Sequence, residues 1–444
     1  MSILIYGAGD TGTYLANTLS IENQDVVLIG TDRARLALLE STCNLITYVG
    51  KGTSAADLMN CGVDKSELFV AVTNDDNANI IAAEMAKRLG AKRAVARIDN
   101  PEYIQYPSVE IFKKLGIDVL IYPERLAAEE ILTFTRTNWA RDWFVMHQEK
   151  LVILGVKINS TSHLTGKPLK DAVATTRFFH ICALKRGEGT MIPRGDTVIF
   201  PGDILYFTVL PTEIDRLREI CGGQQVKVNK IMITGGGRIT ENFLENIDSR
   251  YNITVIEQDT ERCRHIASKF PNVVVVNTHA NDVATLKEEG IENFDMFLAL
   301  TGSSEKNIVS CIMAREHGVP RTVARIEDLE YIPEAESLLI NKIINKKLLN
   351  VSVILNSLIE TDFDKTQCML LDQAEIIQLT AHVGSKIVSK PIFQLSLPRE
   401  ITIGGLIRDN RGMLVDGHTQ IMPGDRVIVF CQIGSLSKVE RLFK

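Results

Sequence analysis

The sequence predicts an α/β protein with two parallel-sheet units, each followed by a small mixed α+β module. Three observations lead to this prediction. A strand-like run ends in a glycine-rich turn, apolar and amphipathic segments alternate behind it, and the whole pattern returns in the second half of the chain. At 444 residues the chain exceeds what one hydrophobic core usually organises, so several domains are expected.

The opening residues are typical of a nucleotide-binding turn. Ser2–Tyr6 is rich in β-forming residues and leads into Gly7-Ala8-Gly9-Asp10-Thr11-Gly12, after which apolar residues recur at helical spacing. Gly7 permits a tight turn, Gly9 lets the backbone approach a pyrophosphate, and Gly12 lets the helix pack close to the strand. The amides at the start of that helix would face the phosphates. The motif therefore favours nucleotide binding over a purely structural turn.

The next segments continue the alternation and predict a Rossmann-type parallel sheet covered on both faces. Further strands are predicted at Asp25–Ile29, Ile46–Val49, Leu68–Val72, Arg93–Ile98 and Asp118–Ile121, with a helix at Asn79–Leu89. Ligands of such sheets bind at the carboxyl ends of the strands. The segments around Gly30 and Thr73 fall at such ends.

The strongest organising signal is an internal repeat. Gly235-Gly236-Gly237 follows the apolar run Ile231–Thr234 and restates the opening turn 228 residues later. The same offset relates Thr73 to Thr301 and Arg97 to Arg325. Agreement over about a hundred residues predicts a duplicated Rossmann unit.

Each predicted Rossmann unit is followed by a segment of short strands and turns. In the first copy, strands are predicted at Leu151–Val156, Ile181–Leu184 and Ile204–Val209. Arg186, Thr197 and Pro201-Gly202-Asp203 recur 222 residues later as Arg408, Thr419 and Pro423-Gly424-Asp425. Residues near 123–145 and 340–365 are interpreted as amphipathic helical connectors, which serve either packing between modules or an oligomer interface.

Composition favours a globular protein with reduced thiols. A net charge of −6 gives no global reason to expect nucleic acid as a partner. The eight cysteines are scattered without a CxxC pair, and no apolar run approaches the about 18 residues of a membrane span. The histidines lack metal-binding spacing. We therefore expect a cytoplasmic protein without a metal site.

These motifs together resemble a known family. The opening turn, the segment Thr73–Asn79, the VARI strand at Arg97 and the IPRGDT…PGD pattern resemble the RCK (also called KTN) domains that regulate potassium transport. Two tandem copies in one chain are similar to the regulatory subunits of Trk-type potassium-uptake systems. The resemblance covers essentially the whole chain. It implies RCK N-terminal domains at 1–122 and 228–345 and RCK C-terminal domains at 140–224 and 366–444.

The resemblance also implies ligands and partners. The Rossmann halves of that family bind NAD(H) or adenine nucleotides such as ATP and ADP, and they assemble into a ring. The implied assembly is a homo-oligomer, a dimer or a tetramer. The implied partner is a membrane-embedded potassium-translocating subunit, which holds the protein at the inner face of the cell membrane. Nucleotide binding would gate that partner.

The resemblance further implies binding residues in the first unit. It places the turn on the pyrophosphate and an arginine on a nucleotide near a subunit interface. The residues implied are Gly7, Ala8, Gly9, Asp10, Thr11, Gly12, Thr73, Asn74 and Arg97.

The first unit departs from the family pattern at the ribose. The family places an acidic residue at the end of the second strand, where this chain has Gly30, followed by Asp32 and Arg33. Three alternatives follow: Asp32 substitutes for the acid, the site takes a phosphorylated or different nucleotide, or the site binds weakly. A missing carboxylate beside Arg33 would tolerate a 2′-phosphate.

The second unit departs in the opposite way. It has an acid, Glu257, at the end of its second strand, but Thr240 replaces the third glycine and Arg238 enters the turn. We expect the two sites to differ in ligand or affinity, with a purely structural second unit as the alternative. The implied residues are Gly235, Gly236, Gly237, Arg238, Ile239, Glu257, Thr301 and Arg325.

Two other functions stay open from the residues. An NAD(P)-dependent oxidoreductase would need a general acid or base, and the small modules share no recurring His, Lys or Cys for that role. A regulator of another ion channel or antiporter is the third possibility. No catalytic residue is predicted.

Overall fold

The computed structural model describes residues 2–21, 25–43, 45–146, 150–172, 178–187, 189–278, 283–338, 340–359, 368–371 and 374–443. The chain divides into two compact units. The first comprises Met1–Pro123, Thr190–Ile192 and Lys347–Lys444, and the second comprises Glu124–Gly189 and Pro193–Lys346. Each unit therefore combines one Rossmann-like domain with the small module from the other half of the chain.

The first Rossmann-like domain alternates strands and helices. Its described elements are β1 (Ser2–Tyr6), α1 (Asp10–Ile21), β2 (Asp25–Gly30), α2 (Arg33–Thr42), β3 (Ile46–Val49), α3 (Ala55–Asn60), β4 (Leu68–Ala71), α4 (Asp76–Arg88), β5 (Arg93–Arg97), α5 (Ser108–Lys114) and β6 (Val119–Ile121). The strands pair in parallel in the order β3-β2-β1-β4-β5-β6. The order reverses between β1 and β4, which is where such sheets bind ligands.

A helix and an antiparallel sheet follow. The described elements are α6 (Pro123–Arg136), β7 (Asp142–Met146), β8 (Leu151–Lys157), α7 (Leu169–Ala172), β9 (Phe179–Arg186), β10 (Gly189–Met191), β11 (Ile204–Val209) and α8 (Ile214–Cys221). The sheet order is β10-β9-β11-β8-β7. The apolar face of β8, β9 and β11 packs with α8 into one core.

The second Rossmann-like domain repeats the first. Its described elements are β12 (Lys230–Thr234), α9 (Arg238–Asn246), β13 (Asn252–Glu257), α10 (Thr260–Lys269), β14 (Val274–Asn277), α11 (Val283–Glu288), β15 (Met296–Ala299), α12 (Ser304–Glu316), β16 (Arg321–Arg325), α13 (Ile332–Ser337) and β17 (Lys342–Ile344). The parallel order β14-β13-β12-β15-β16-β17 is the same as that of the first sheet.

The second small module likewise repeats the first. Its described elements are α14 (Lys346–Ile359), β18 (Cys368–Leu371), β19 (Ala374–Thr380), β20 (Ile401–Arg408), β21 (Arg411–Leu414), β22 (Arg426–Gln432) and α15 (Leu436–Phe443). The sheet order β18-β19-β22-β20-β21 matches that of the first module strand for strand. The predicted duplicated α/β fold is therefore confirmed.

The connector interpretation is wrong over part of its range. The helix α6 ends at Arg136, and Asp142–Met146 forms the edge strand β7, antiparallel to β8. The β-forming residues Trp143 and Val145 pair with Leu154 and Val152, so strand pairing replaces the expected helix. In the second connector, residues 360–365 lie outside the described residues.

Each small module contains an ion pair between an arginine and the aspartate of its Pro-Gly-Asp turn. Arg186 donates to both carboxylate oxygens of Asp203 at 2.8 and 2.7 Å, and Arg408 makes the same pair with Asp425 at 2.8 and 2.6 Å. Each aspartate is only 2% exposed. The bidentate geometry is the strong form of this interaction, and it gives these shared charges a structural role in the turn.

Candidate nucleotide sites

The first glycine turn has two crowded glycines and one open one. Gly7 has a φ of +122°, and a Cβ there would lie 2.9 Å from the backbone of Thr73. A Cβ on Gly12 would lie 1.8 Å from the Gly7 carbonyl oxygen. A Cβ on Gly9 would meet no heavy atom within 4 Å. Gly7 and Gly12 thus allow the turn to form, and the backbone at Gly9 is accessible to a ligand.

The second turn keeps this arrangement with one replacement. Gly235 has a φ of +98° and lies against the backbone of Leu300 and Thr301, whereas a Cβ on Gly237 would lie 4.0 Å from the Arg262 guanidinium. Thr240 stands in the position of Gly12, and its hydroxyl donates to the Gly235 carbonyl at 2.5 Å. The threonine is accommodated by this hydrogen bond, so loss of the third glycine does not remove the turn.

A cavity of about 520 Å³ lies over the second turn. It is formed at the carboxyl ends of β12, β13, β15 and β16. Its described basic side chains are Arg262, Lys306 and Arg325. The other described lining residues are Gly235, Gly237, Ile256, Glu257, Gln258, Leu300, Thr301, Gly302 and Ser303. A volume of this size is typical of small-molecule and cofactor pockets, which span about 300–1,000 Å³.

Glu257 is held by the backbone of its own site. Its Oε2 accepts a hydrogen bond from the Gly236 amide at 2.6 Å, and its Oε1 accepts one from the Asp259 amide at 2.8 Å. The residue is 7% exposed. The predicted ribose acid therefore lies in the cleft, with its carboxylate on an amide of the glycine turn.

The two units differ in which of two facing positions carries a side chain, the end of the second strand or the glycine turn. In the first unit a Cβ on Gly30 would lie 2.9 Å from the Ala8 Cβ. In the second unit a Cβ on Gly236 would lie 2.5 Å from the Ile266 Cδ1 and 3.2 Å from the Glu257 Cγ. Each unit thus has room for a side chain at one of the two positions. A side chain at Gly30 would have to displace Ala8.

Asp32 has a structural role in the first unit. Its Oδ1 accepts from the amides of Ala34 and Arg35 at 3.0 and 3.1 Å, which caps α2. Asp259 caps α10 in the same way. Asp32 is therefore the counterpart of Asp259 rather than of Glu257.

The helix that follows the first turn begins with a paired acid. Asp10 accepts from the Arg35 guanidinium at 2.9 Å, and the Lys347 ammonium lies 3.3 Å from its other oxygen. The hydrogen bond with Arg35 and the charge of Lys347 lower the pKa of Asp10. Arg33 is exposed, as is Arg35. Two cations therefore stand beside the predicted pyrophosphate turn.

A buried asparagine ties the strand ends in both units. Asn79 accepts from the Thr73 amide and hydroxyl at 2.9 and 2.7 Å, and it donates to the carbonyls of Thr73 and Arg97. Asn307 makes the same four bonds with Thr301 and Arg325. The predicted residues Thr73 and Thr301 are thus brought to the arginine strands by a repeated internal contact.

Family models match most of the chain. The TrkA-N domain matches residues 3–123 and 231–346, and the TrkA-C domain matches residues 153–222 and 376–444. The chain belongs to the TrkA family. The resemblance to tandem RCK domains is therefore confirmed.

Named relatives match this TrkA-family chain over its full length. It is 29% identical to the Trk system potassium uptake protein TrkA homolog 1 of Methanosarcina mazei, covering 100% of both chains. It is 28% identical to the Trk system potassium uptake protein TrkA of Halomonas elongata, covering 100% of this chain and 99% of that one.

Solved structures show the same fold. The GsuK RCK domain aligns with a TM-score of 0.61 at 17% identity, covering 100% of this chain and 94% of that chain. The GsuK channel bound to NAD aligns with a TM-score of 0.62 at 16% identity, covering 100% of this chain and 78% of that chain.

The two TrkA-N domains hold their predicted arginines differently. Arg97 donates to Asn74 at 3.1 Å and to Asp99 at 3.0 Å, and its Nε is buried without a hydrogen-bond partner among the described residues. Arg325 donates to Glu327 at 2.6 Å and lines the cavity. Gly302 stands where the first domain has Asn74. Contact of Arg97 or Arg325 with a nucleotide near a subunit interface stays a prediction.

The TrkA-N sites also include basic residues that the sequence interpretation missed. Arg262 is the counterpart of Arg35, and Lys306 has the neutral counterpart Ala78. Both lie in the first turn of a helix that starts at a strand end, and this position is the signal that points to them. In addition, Arg238 stands where the first domain has Asp10, so an acid in the first turn is replaced by a base in the second.

Other site types find no support in the described part of the chain. Its histidine, cysteine and carboxylate side chains do not cluster as metal ligands. None of its helices combines the length and apolar character needed to cross a bilayer.

Proposed function

We propose that this chain is a nucleotide-sensing regulatory subunit of a Trk-type potassium-uptake system. The observation that carries the proposal is the cavity over the second glycine turn, where Arg262, Lys306 and Arg325 converge with Glu257. Backbone amides and cations together bind phosphates, and a strand-end carboxylate binds ribose hydroxyls. The ligand is NAD(H) or an adenine nucleotide, ATP or ADP.

The two sites have different tasks in this proposal. The second site has three basic side chains, Arg262, Lys306 and Arg325, together with the ribose acid Glu257, so it binds a nucleotide that carries both phosphates and free ribose hydroxyls. The first site has Gly30 in place of the acid and two cations paired with Asp10. It therefore discriminates less between nucleotides with and without a 2′-phosphate.

The protein acts as a homo-oligomeric ring, a dimer or a tetramer, at the inner face of the cell membrane. A nucleotide that binds one ring geometry better than another shifts the population toward that geometry by about 1–3 kcal/mol per site. The shift passes to a membrane-embedded potassium-translocating subunit. The names of the TrkA relatives and the NAD-bound GsuK channel support this assignment.

The decisive experiment is calorimetric titration of the intact chain with NADH, NADPH, ATP and ADP, repeated on Gly9→Asp and Gly237→Asp. Both positions have room for a Cβ, so each variant keeps its turn and places a carboxylate where phosphate would bind. We expect each substitution to weaken one class of sites at least tenfold. Unchanged isotherms in both variants would show that the turns are not the binding sites.

A second experiment tests the regulatory role itself. Co-reconstitution with a Trk-type membrane subunit should make potassium flux depend on the nucleotide that calorimetry identifies. Potassium flux that changes neither with nucleotide nor with addition of this chain would refute a regulatory role. Consumption of NADH with a panel of carbonyl compounds would instead support an oxidoreductase.

A further inference from the structure

The second compact unit contains another cavity, of about 150 Å³, outside the nucleotide cleft. It lies where the first TrkA-C module meets the second TrkA-N domain. Trp139 and Arg141 come from the segment before β7, Lys157 from the end of β8, Arg315 from the end of α12 and Glu336 from α13.

Among the described residues the cavity lining carries more positive than negative charge. Arg141, Lys157 and Arg315 are its cations, and Glu336 is its carboxylate. That carboxylate already accepts from Arg141 and from Lys185, the latter at 2.9 and 3.2 Å. Lys185 is only 5% exposed. Outside the lining, the Asp142 carboxylate lies 3.6 Å from the Arg141 guanidinium, and the Lys157 ammonium donates to the Glu336 carbonyl oxygen at 3.4 Å.

The cations of this cavity repel one another. Burial lowers the pKa of Lys157, and the charges of Arg141, Arg315 and Lys185 lower it further against the opposing charge of Glu336. Burial and the charge of Arg315 also lower the pKa of the nearby Arg321. Like charges in a partly desolvated space are costly unless an anion compensates them.

The size of the cavity limits the anion. Its volume is below the range of about 300–1,000 Å³ that holds cofactors, and it is similar to a cavity that takes a benzene-sized molecule. Guanidinium groups bind tetrahedral oxyanions with two parallel hydrogen bonds, and an ammonium adds a point charge. We propose that this cavity binds a small oxyanion of the phosphate class, with Arg141, Lys157 and Arg315 as its ligands.

The position of the site connects it to the rest of the unit. Lys157 belongs to the first TrkA-C domain, Arg141 lies just before β7, and Arg315 belongs to the second TrkA-N domain, so the anion contacts side chains on both sides of this boundary. Arg315 lies near the end of α12, whose first turn presents Lys306 to the nucleotide cleft. The helix has 13 residues and spans about 20 Å. The anion site does not require that the cleft bind nucleotide.

Tryptophan fluorescence of the full chain tests the proposal. The sequence has two tryptophans. Trp139 lines the cavity, and the ring of Trp143 packs edge-on against the ring of Trp139, with 6.4 Å between the ring centroids. Inorganic phosphate is titrated at constant ionic strength, with sulfate and acetate in parallel. We expect a saturable change with phosphate and sulfate and a much weaker response to acetate.

Substitutions in the lining distinguish phosphate binding at this cavity from a general effect of salt on fluorescence. Lys157→Met removes one charge of the lining, and Arg315→Gln removes a second. Each should weaken the apparent phosphate affinity about tenfold or more. Lys167→Met, an exposed lysine of the same module outside the lining, is the matched control and should bind as the parent does.

Two results would overturn the inference. A linear response that never saturates, or equal affinities in the parent and Lys157→Met, would mean that phosphate only screens charge. The Gly237→Asp variant should keep the phosphate response whatever happens to nucleotide binding. Loss of the response in that variant would place the phosphate in the nucleotide cleft instead.

Discussion

Glu257 Oε2 accepts a hydrogen bond from the Gly236 amide at 2.6 Å, across 21 residues of sequence. The amide belongs to the turn that is expected to hold a pyrophosphate, so the protein's own carboxylate occupies a donor of that turn. A phosphate at the same donor would meet a negative charge. The first TrkA-N domain has no counterpart of this contact, because Gly30 stands in the position of Glu257.

Replacing Glu257 should destabilise the second unit. Glu257→Ala leaves the buried amide of Gly236 and the partly buried amide of Asp259 without their acceptor, and we expect the free energy of unfolding to fall by about 1–3 kcal/mol. Glu257→Gln keeps one acceptor oxygen and should cost less. Urea denaturation followed by tryptophan fluorescence measures both, since Trp139 and Trp143 lie in this unit. Equal losses in the two variants would contradict the hydrogen-bond account.

The exchange between Ala8 and Gly30 predicts a strong coupling. Gly30→Glu alone places a side chain against Ala8 and should cost about 1–3 kcal/mol. Adding Ala8→Gly makes the first site like the second and should recover at least about 1 kcal/mol beyond additivity. Chemical denaturation of the parent, both single variants and the double variant measures the coupling. Additivity within about 0.5 kcal/mol would refute it.

Asn79 should be intolerant of substitution. The residue is fully buried and makes four hydrogen bonds between the ends of β4 and β5, so Asn79→Ala should cost about 2–3 kcal/mol of unfolding free energy. Asn77→Ala, at an exposed position of the same helix, is the control and should change stability by less than about 0.5 kcal/mol. Similar losses at both positions would indicate a helix-propensity effect.

The second unit should lose stability in acid. Burial alone would raise the pKa of Asp142, but Lys342 and Arg141 outweigh it and hold the pKa below its usual value. The pKa of Glu336 is likewise lowered, because Arg141 and Lys185 outweigh the effect of burial. Both groups therefore stabilise the fold fully above their unfolded pKa near 4, and the contribution is lost as the pH falls through the lower folded values.

Denaturant midpoints measured by tryptophan fluorescence between pH 7 and pH 2 test this prediction. Asp142→Asn should lower stability at neutral pH and flatten the acid limb, since Lys342 and Tyr206 lose a charged partner. Asp171→Asn, at an exposed site, should leave the profile unchanged. An acid limb of the same steepness in Asp142→Asn would assign the pH dependence to other groups.

Much of the fold could be predicted because its signals are local. Apolar runs such as Ser2–Tyr6 and Ile204–Val209 mark buried strands, and the structure has strands at the same bounds. Because the sequence repeats, each strand or helix predicted in the first half of the chain also predicts its counterpart in the second half. The edge strand β7 was missed because a half-buried strand next to an amphipathic helix has no distinct period.

Much of the site, in contrast, depends on distant partners. Lys347 lies beside Asp10 although 337 residues separate them in sequence, and no motif relates the two. Arg262 and Lys306 enter the cleft from helices that start at different strand ends. A sequence motif identifies the turn but not the charges that surround it.

The sequence by itself determined the duplicated architecture, the family and the position of both glycine turns, because glycine requirements and strand periodicity are properties of adjacent residues. Only the tertiary structure decided that Ala8 excludes a side chain at Gly30 and that Glu257 rests on Gly236. It also decided that Arg262, Lys306 and Arg325 line one cavity. Those relationships arise from parallel strands that bring remote strand ends to one edge of a sheet, where steric fit and charge act between residues far apart in the chain.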